Sequence, residues 1–312
     1  MCAQTRPLNV GTRGSPLALV QTEMIVRQLR TLHPDQKFVV GLQSFVTEGD
    51  RTQAQDVPLA SLAGRGVFVK DLEQALLTGA VDFAVHSLKD MTTDLEEGLV
   101  LAAVSEREDP RDVLVSRHGT SLMELPTNAR VGTSSPRRAA QLSAFRSDLR
   151  FEPIRGNVDT RVRKVDEGEY EATVLAAAGL LRLGLGHRIT EYFSTDVCLP
   201  DPGQGALAIE CRADDDFVRE IMASLNHQST WQAVAAERAL LHALGGGCQV
   251  PIAAYGEVDG SQLTLQGLVA SDDYRDLVRG SLSGPAQDAE RLGRALADQL
   301  RVQGADRILR AL

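Results

Sequence analysis

At 312 residues, with 43% hydrophobic and 24% charged side chains, the chain is ordinarily globular and long enough for two or three domains. A formal charge of −9 argues against a general nucleic-acid or acidic-membrane binder, and no run of about 18 apolar residues is present to cross a bilayer. The four cysteines (Cys2, Cys198, Cys211 and Cys248) form no CxxC pair and no zinc spacing, and MCAQTRPLNV holds no basic-then-apolar segment, so a cytoplasmic chain with free thiols and no metal is expected.

Taken in order, LNV reads as a strand and GTRGSPLALVQ, from Gly11, as a turn into a helix reaching about Arg30. A strand in FVVGLQSF follows. The stretch EGDRTQAQDVPLASLAGRGV, between Glu48 and Val67, has the length and composition of a lid, with disorder as the alternative. A helix in KDLEQALLTG and a strand in VDFAVHS complete the series. The same plan then repeats. GTSSPRRAAQL, from Gly132, follows ARV and leads to a helix ending near Arg146; after it come a strand in LRFEPIR, a helix in NVDTRVRKVDEG and a strand in YEATVLAAA. In both copies proline falls at the first helical position, where its missing N–H costs nothing. Apolar runs of strand length alternating with helices predict two similar α/β lobes, facing each other, with mainly parallel sheets and ligands beyond the carboxyl ends of the strands. GQGA at Gly203 reads as the return into the first lobe.

The remainder changes character. A helix over WQAVAAERALLHAL, with Thr230 as its N-cap, precedes the loop LGGGCQVP. Strands in IAAYGEV, QLTLQGLVA and DLVRGSLS are joined at Asp259-Gly260 and Asp272-Asp273-Tyr274, and a helix from about Ala286 to Val302 and a short terminal one close the chain. The expected division is 1–105 plus 204–224 for lobe one, 106–203 for lobe two, and 225–312 for a small α+β domain with a three-stranded antiparallel sheet.

Charge is uneven. From Arg130 to Lys164 nine basic residues, eight of them arginines, meet only Asp148, Glu152 and Asp159, a local balance of +6. Guanidinium forks suit carboxylates and phosphates, and only Phe145 and Phe151 offer stacking for nucleic-acid bases. Strand ends and helix starts would bring Arg13 and Ser15 from lobe one together with Ser134, Ser135, Arg137, Arg138, Arg155, Arg161 and Arg182 from lobe two, a site for a small polyanion. Lys89 and Asp90 follow the strand VDFAVHS, where a carboxylate beside a lysine can carry a proton or hold a developing cation; a surface turn is the alternative. His86 reads as a packed residue before it reads as a catalyst. Cys248 stands on open backbone between Gly245-Gly246-Gly247 and Pro251, as a covalent anchor or a small buried hydrophobe.

The set GTRGSPLAL, GVFVKDLE, DFAVHSLKD, EREDPRDVLVS, VGTSSPRRAAQL, RGNVDTR, AAAGLLRLG, LPDPGQGALAIECR and LGGGCQVPIAAY resembles the porphobilinogen deaminase (hydroxymethylbilane synthase) family, in order from about Val10 to Tyr255. The resemblance implies two periplasmic-binding-protein-like lobes and a transferase of tetrapyrrole and haem biosynthesis. Such an enzyme joins four porphobilinogen units head to tail, with loss of ammonia, on a covalent dipyrromethane, and then releases hydroxymethylbilane. It also implies Cys248 as the thioether anchor, Asp90 as the catalytic carboxylate with Lys89 beside it, and cofactor contacts from Ser15, Ser134, Ser135, Arg137, Arg138, Lys89 and Asp90. Substrate carboxylates would meet Arg13, Arg155, Arg161 and Arg182. A monomer that passes its product to the next tetrapyrrole enzyme, without nucleic acid or membrane, follows in the same way. Glu48, Pro136 and Leu181 depart from the family pattern. Two rivals stand beside this reading: a two-lobed solute-binding protein for a polycarboxylate, and a cysteine hydrolase using Cys248 with His242 or His86.

Overall fold

A computed structural model describes residues 6–34, 40–45, 69–246, 250–271 and 273–310. The chain opens with β1 (Leu8–Arg13), α1 (Pro16–Leu32), β2 (Val40–Phe45), α2 (Lys70–Leu77), β3 (Phe83–Ser87) and β4 (Leu99–Val104). Next come β5 (Asp112–Ser116), β6 (Arg130–Gly132), α3 (Pro136–Ser143), β7 (Arg150–Glu152), α4 (Val158–Asp166), β8 (Ala172–Ala176), α5 (Ala177–Arg182) and β9 (Glu191–Tyr192). Then β10 (Leu207–Arg212) and α6 (Asp216–Ala223) follow. The chain closes with α7 (Gln228–Ala243), β11 (Ile252–Asp259), β12 (Gln262–Ala270), β13 (Leu277–Pro285), α8 (Ala289–Val302) and α9 (Ala305–Leu309).

Contacts divide the chain into two compact units that exchange at Arg107/Glu108 and again at Gly205/Ala206; the second unit also takes the chain from Gln232 onward. The first contains a five-stranded sheet ordered β2-β1-β3-β10-β4, and the second one ordered β7-β6-β8-β5-β9. The two orders correspond strand for strand. In each sheet three strands pair in parallel, while the fourth, β10 or β5, is antiparallel to both neighbours. The reversed strands are those that the chain enters on passing from one unit to the other. Such a strand needs no helical crossover, so nothing local in LAIECR or DVLVS signals its direction.

Each sheet is covered on both faces. In the first unit Leu8, Val10, Phe83, Val85 and Ile209 pack with Ile25 and Leu29 of α1 and Met222 of α6, and α2 buries Leu72 and Leu76 against Ala84 and Leu99. The repeated turn has a steric reason for its glycine. A Cβ on Gly11 would stand 2.9 Å from Leu72 Cδ2 of α2, and one on Gly132 2.9 Å from Ile154 Cδ1 just after β7, so a neighbouring side chain would have to shift to admit a larger residue at either position.

In the C-terminal part β11, β12 and β13 form the expected antiparallel sheet. Asp259 pairs with Gln262, and Gly260 opens the two-residue turn at φ +58°. Leu240, Leu265, Leu296 and Leu300 centre its core. The last long helix begins at Ala289, after a 3₁₀ turn over Ala286–Asp288. Thr230 is not an N-cap: α7 starts at Gln228, and the Thr230 hydroxyl lies 2.8 Å from Nδ1 of His227.

Candidate active site

The first unit presents a pocket at the carboxyl end of β1 and β3, lined by Arg13, Ser15, Gln21, His86, Ser87 and Asp90. Local sequence explains how each arrives there. Arg13 is the last residue of β1, and Ser15 caps α1 by accepting from the Ala18 N–H, with Pro16 at the first helical position. Gln21, buried one turn further on, donates from Nε2 to the Ser87 hydroxyl at 3.1 Å. Beyond Ser87 a single 3₁₀ turn, Leu88–Asp90, inserts Leu88 into the core and leaves Lys89 and Asp90 half-buried. Asp90 Oδ2 is 3.9 Å from Arg13 Nη1, with the two side chains 37% and 18% exposed. A carboxylate and a guanidinium at ion-pair distance, both reachable from the pocket, can hold a cation and an anion on adjoining parts of one ligand.

The second unit collects the remaining arginines and sorts them into two kinds. Arg137 and Arg138, both buried at the start of α3, converge on the fully buried Asp112. Arg137 Nη1 donates to Asp112 Oδ2 at 2.7 Å and to the Leu199 carbonyl at 2.6 Å. Arg138 donates through Nε to Asp112 Oδ1 at 3.0 Å and through Nη1 to the Val174 carbonyl. Gln204 adds a third donor to the same carboxylate. Burial opposes the Asp112 charge, but the two guanidiniums outweigh it and hold this carboxyl far below the usual range. The trio retains one net positive charge, and Arg137 Nε is buried with no partner. Ser135 caps α3 by accepting from the Arg138 N–H, and Ser134 both accepts from the Ile154 N–H and donates to the Ile154 carbonyl.

Arg155 and Arg161 are the other kind. Nε and Nη2 of Arg155 are buried without a hydrogen-bond partner, and Arg161 donates through Nε to the Gly156 carbonyl. Among the described residues neither has a carboxylate within ion-pair distance. Burial, with Arg138 and Arg155 adding their repulsion, pushes the Arg161 guanidinium down to about 10. Arg182, at the end of α5, donates to the Gly205 carbonyl at 2.6 Å and keeps a buried, unpartnered Nε; burial takes it to about 10 against the pull of Glu108. Guanidiniums gathered without counter-charge are costly unless an anion completes them. Replacing Arg161 with glutamine is therefore expected to raise the thermal midpoint while weakening polycarboxylate binding about 10- to 100-fold. Calorimetric melting and titration on the same variant measure the two effects.

Cys248 and the stretch from Glu48 to Val67 lie outside the described residues. The two described cysteines are not nucleophiles. Burial, with Asp112 beside it, pushes the Cys198 thiol up, and burial takes Cys211 up to about 11. Of the histidines weighed for a hydrolase, His86 is buried against Glu210 and His242 is exposed on α7. Sequence reasoning passed over Asp112, which anchors two of the arginines, and Glu210. Each had a signal: a lone carboxylate inside an apolar strand, DVLVS or LAIECR, must have a partner.

Comparison with known proteins gives two family matches. Residues 8–220 match "Porphobilinogen deaminase, dipyromethane cofactor binding domain", and residues 231–302 match "Porphobilinogen deaminase, C-terminal domain". A protein named porphobilinogen deaminase from Geotalea daltonii is 49% identical over 97% of this chain and 94% of its own length. One of the same name from Syntrophotalea carbinolica is 50% identical over 98% and 96%. Among solved structures, similarity extends to the ligand-binding component of an ABC-type import system from Staphylococcus aureus, at 14% identity over 76% of this chain and 73% of that one, with a TM-score of 0.40.

Proposed function

The chain belongs to the porphobilinogen deaminase family, and from that membership we propose that it joins four porphobilinogen molecules head to tail on a covalent dipyrromethane, releasing ammonia each time and finally hydroxymethylbilane. The observation that carries this reading is the set of guanidiniums around Arg155 and Arg161 with buried N–H groups left unpaired. Porphobilinogen bears an acetate and a propionate, so a growing oligopyrrole is a row of carboxylates, the ligand such forks fit. The bound dipyrromethane supplies the pyrrole carbon to which the first unit is joined.

Each role follows from the chemistry of a side chain. Asp90 moves a proton at the departing amine and holds the positive charge that develops on pyrrole nitrogen; Lys89 and Arg13 orient carboxylates beside it. Arg155, Arg161 and Arg182 take substrate carboxylates. Arg137 and Arg138, with Ser15, Ser134 and Ser135 at the helix starts, hold the cofactor's acids through the net charge left on the Asp112 group and through helix N–H groups. Cys248 carries the thioether, a tether that persists through the cycle. The enzyme works as a cytoplasmic monomer and passes its product to the next tetrapyrrole enzyme.

Intact mass of the purified chain tests the assignment. A chain heavier by one dipyrromethane that releases ammonia from porphobilinogen supports it, and Cys248→Ser is expected to lose both properties. Full activity in Cys248→Ser overturns the anchor. An unmodified chain that binds polycarboxylates without turnover favours a solute-binding protein instead.

A further inference from the structure

Three titratable side chains beside the Asp90 pocket have no role in the scheme above. Glu210, fully buried on β10, places Oε2 3.0 Å from Nε2 of His86, which is itself 5% exposed. Glu210 registers with Ala84 and His86 with Ala208, so the two side chains lie diagonally on one face of the sheet. The other oxygen of Glu210, Oε1, is buried and has no hydrogen-bond partner. Glu73 of α2 is buried nearby; burial and then Glu210 push its carboxyl up, with a smaller rise from Glu96 and opposing pulls from His86 and Lys70. His86 in turn lines the pocket that contains Arg13 and Asp90.

An ionised carboxylate buried with one vacant oxygen needs a full positive charge on its partner, and among the described residues the partner of Glu210 is His86. Burial and the neighbouring Glu210 favour the uncharged form of Glu73, and the pair balances its own charge, so what the pocket meets is a dipole rather than a bare ion.

We propose that Glu210 and His86 form a buried ion pair whose positive end, at the pocket wall, holds the Asp90 carboxylate in its working orientation, which makes both of them positioning residues for the reaction. Among the described residues Glu73 on α2 interacts with both members of the pair and is itself influenced by Lys70 and Glu96, while Arg13 and Asp90 line the pocket that His86 joins. The mechanistic part of this inference rests on the deaminase reading; the ion pair does not.

The test is the pH profile of kcat/KM for the dipyrromethane-loaded enzyme with porphobilinogen. Glu210→Gln keeps the shape and the hydrogen bond but removes the charge, and is expected to move the alkaline limb to lower pH by about 1 to 3 units. Glu73→Gln, which leaves the Glu210–His86 contact intact, leaves that limb in place. A Glu210→Gln profile parallel to that of wild type overturns the proposal, since a structural role lowers activity equally at all pH. Histidine ¹⁵N spectra of the wild-type protein, with His86→Asn for assignment, supply a readout free of activity and serve even where Glu210→Gln does not fold. Two protons on the His86 ring across the activity plateau support the ion pair, and one proton there overturns it. A wild-type chain that releases no ammonia removes the reaction assignment and leaves the spectrum to report on the pair.

Discussion

Asp90→Asn is expected to retain the fold and a dipyrromethane-loaded chain while cutting turnover about 10²- to 10⁴-fold. Asparagine matches the carboxyl in shape and sits on the same 3₁₀ turn, anchored by the fully buried Leu88, so packing is unchanged. Both chemical functions of the carboxyl go with the charge: an amide neither exchanges a proton near neutrality nor balances a pyrrole cation. The loss falls on kcat more than on KM, because the stabilisation is needed where charge develops and not where substrate carboxylates dock. Single-turnover measurements on loaded enzyme, with ammonia release as the signal, separate the two. A variant with wild-type kcat would place the proton transfer on another group.

Asp112→Asn is expected to have the largest effect on stability, about 3 to 5 kcal/mol, because it leaves Arg137 and Arg138 in a dry site without the carboxylate that both of them contact. Urea unfolding measures it. The same carboxyl makes stability depend on acid. Its folded value lies far below its ordinary 3.8, so its contribution is complete above that value and is lost as pH falls through it toward the folded one. The difference in stability between wild type and Asp112→Asn should accordingly shrink below about pH 4, where the unfolded carboxyl binds its proton. A difference that is constant with pH would assign the loss to packing alone.

These two expectations separate residues that look alike in sequence. The run TSSPRR reads as two ligand forks beside a helix start, yet both arginines are turned onto a carboxylate 25 and 26 residues earlier in the chain. By contrast RGNVDTR holds Arg155, whose buried Nε and Nη2 stay unpaired, and Arg161, which meets the Gly156 carbonyl and no carboxylate among the described residues. Spacing cannot tell these cases apart. The partner, Asp112, heads a strand that is reversed in its sheet, and a reversed strand is a fact of topology.

What sequence alone determined is everything set by neighbours a few residues apart. Serine before proline placed the starts of α1 and α3, Asp-Gly placed the β11–β12 turn, alternating apolar runs placed the strands, and the repeated turn showed two similar α/β units. The motifs likewise named the family, because their charged residues stand at fixed local spacing. Only the tertiary structure decided which strand in each sheet is reversed, which arginines are paired with a carboxylate, and that Glu210 meets His86 across 124 residues of chain. Ion pairing in a dry interior depends on distances of a few ångströms between elements remote in sequence, and those distances exist only once the sheets have closed around them.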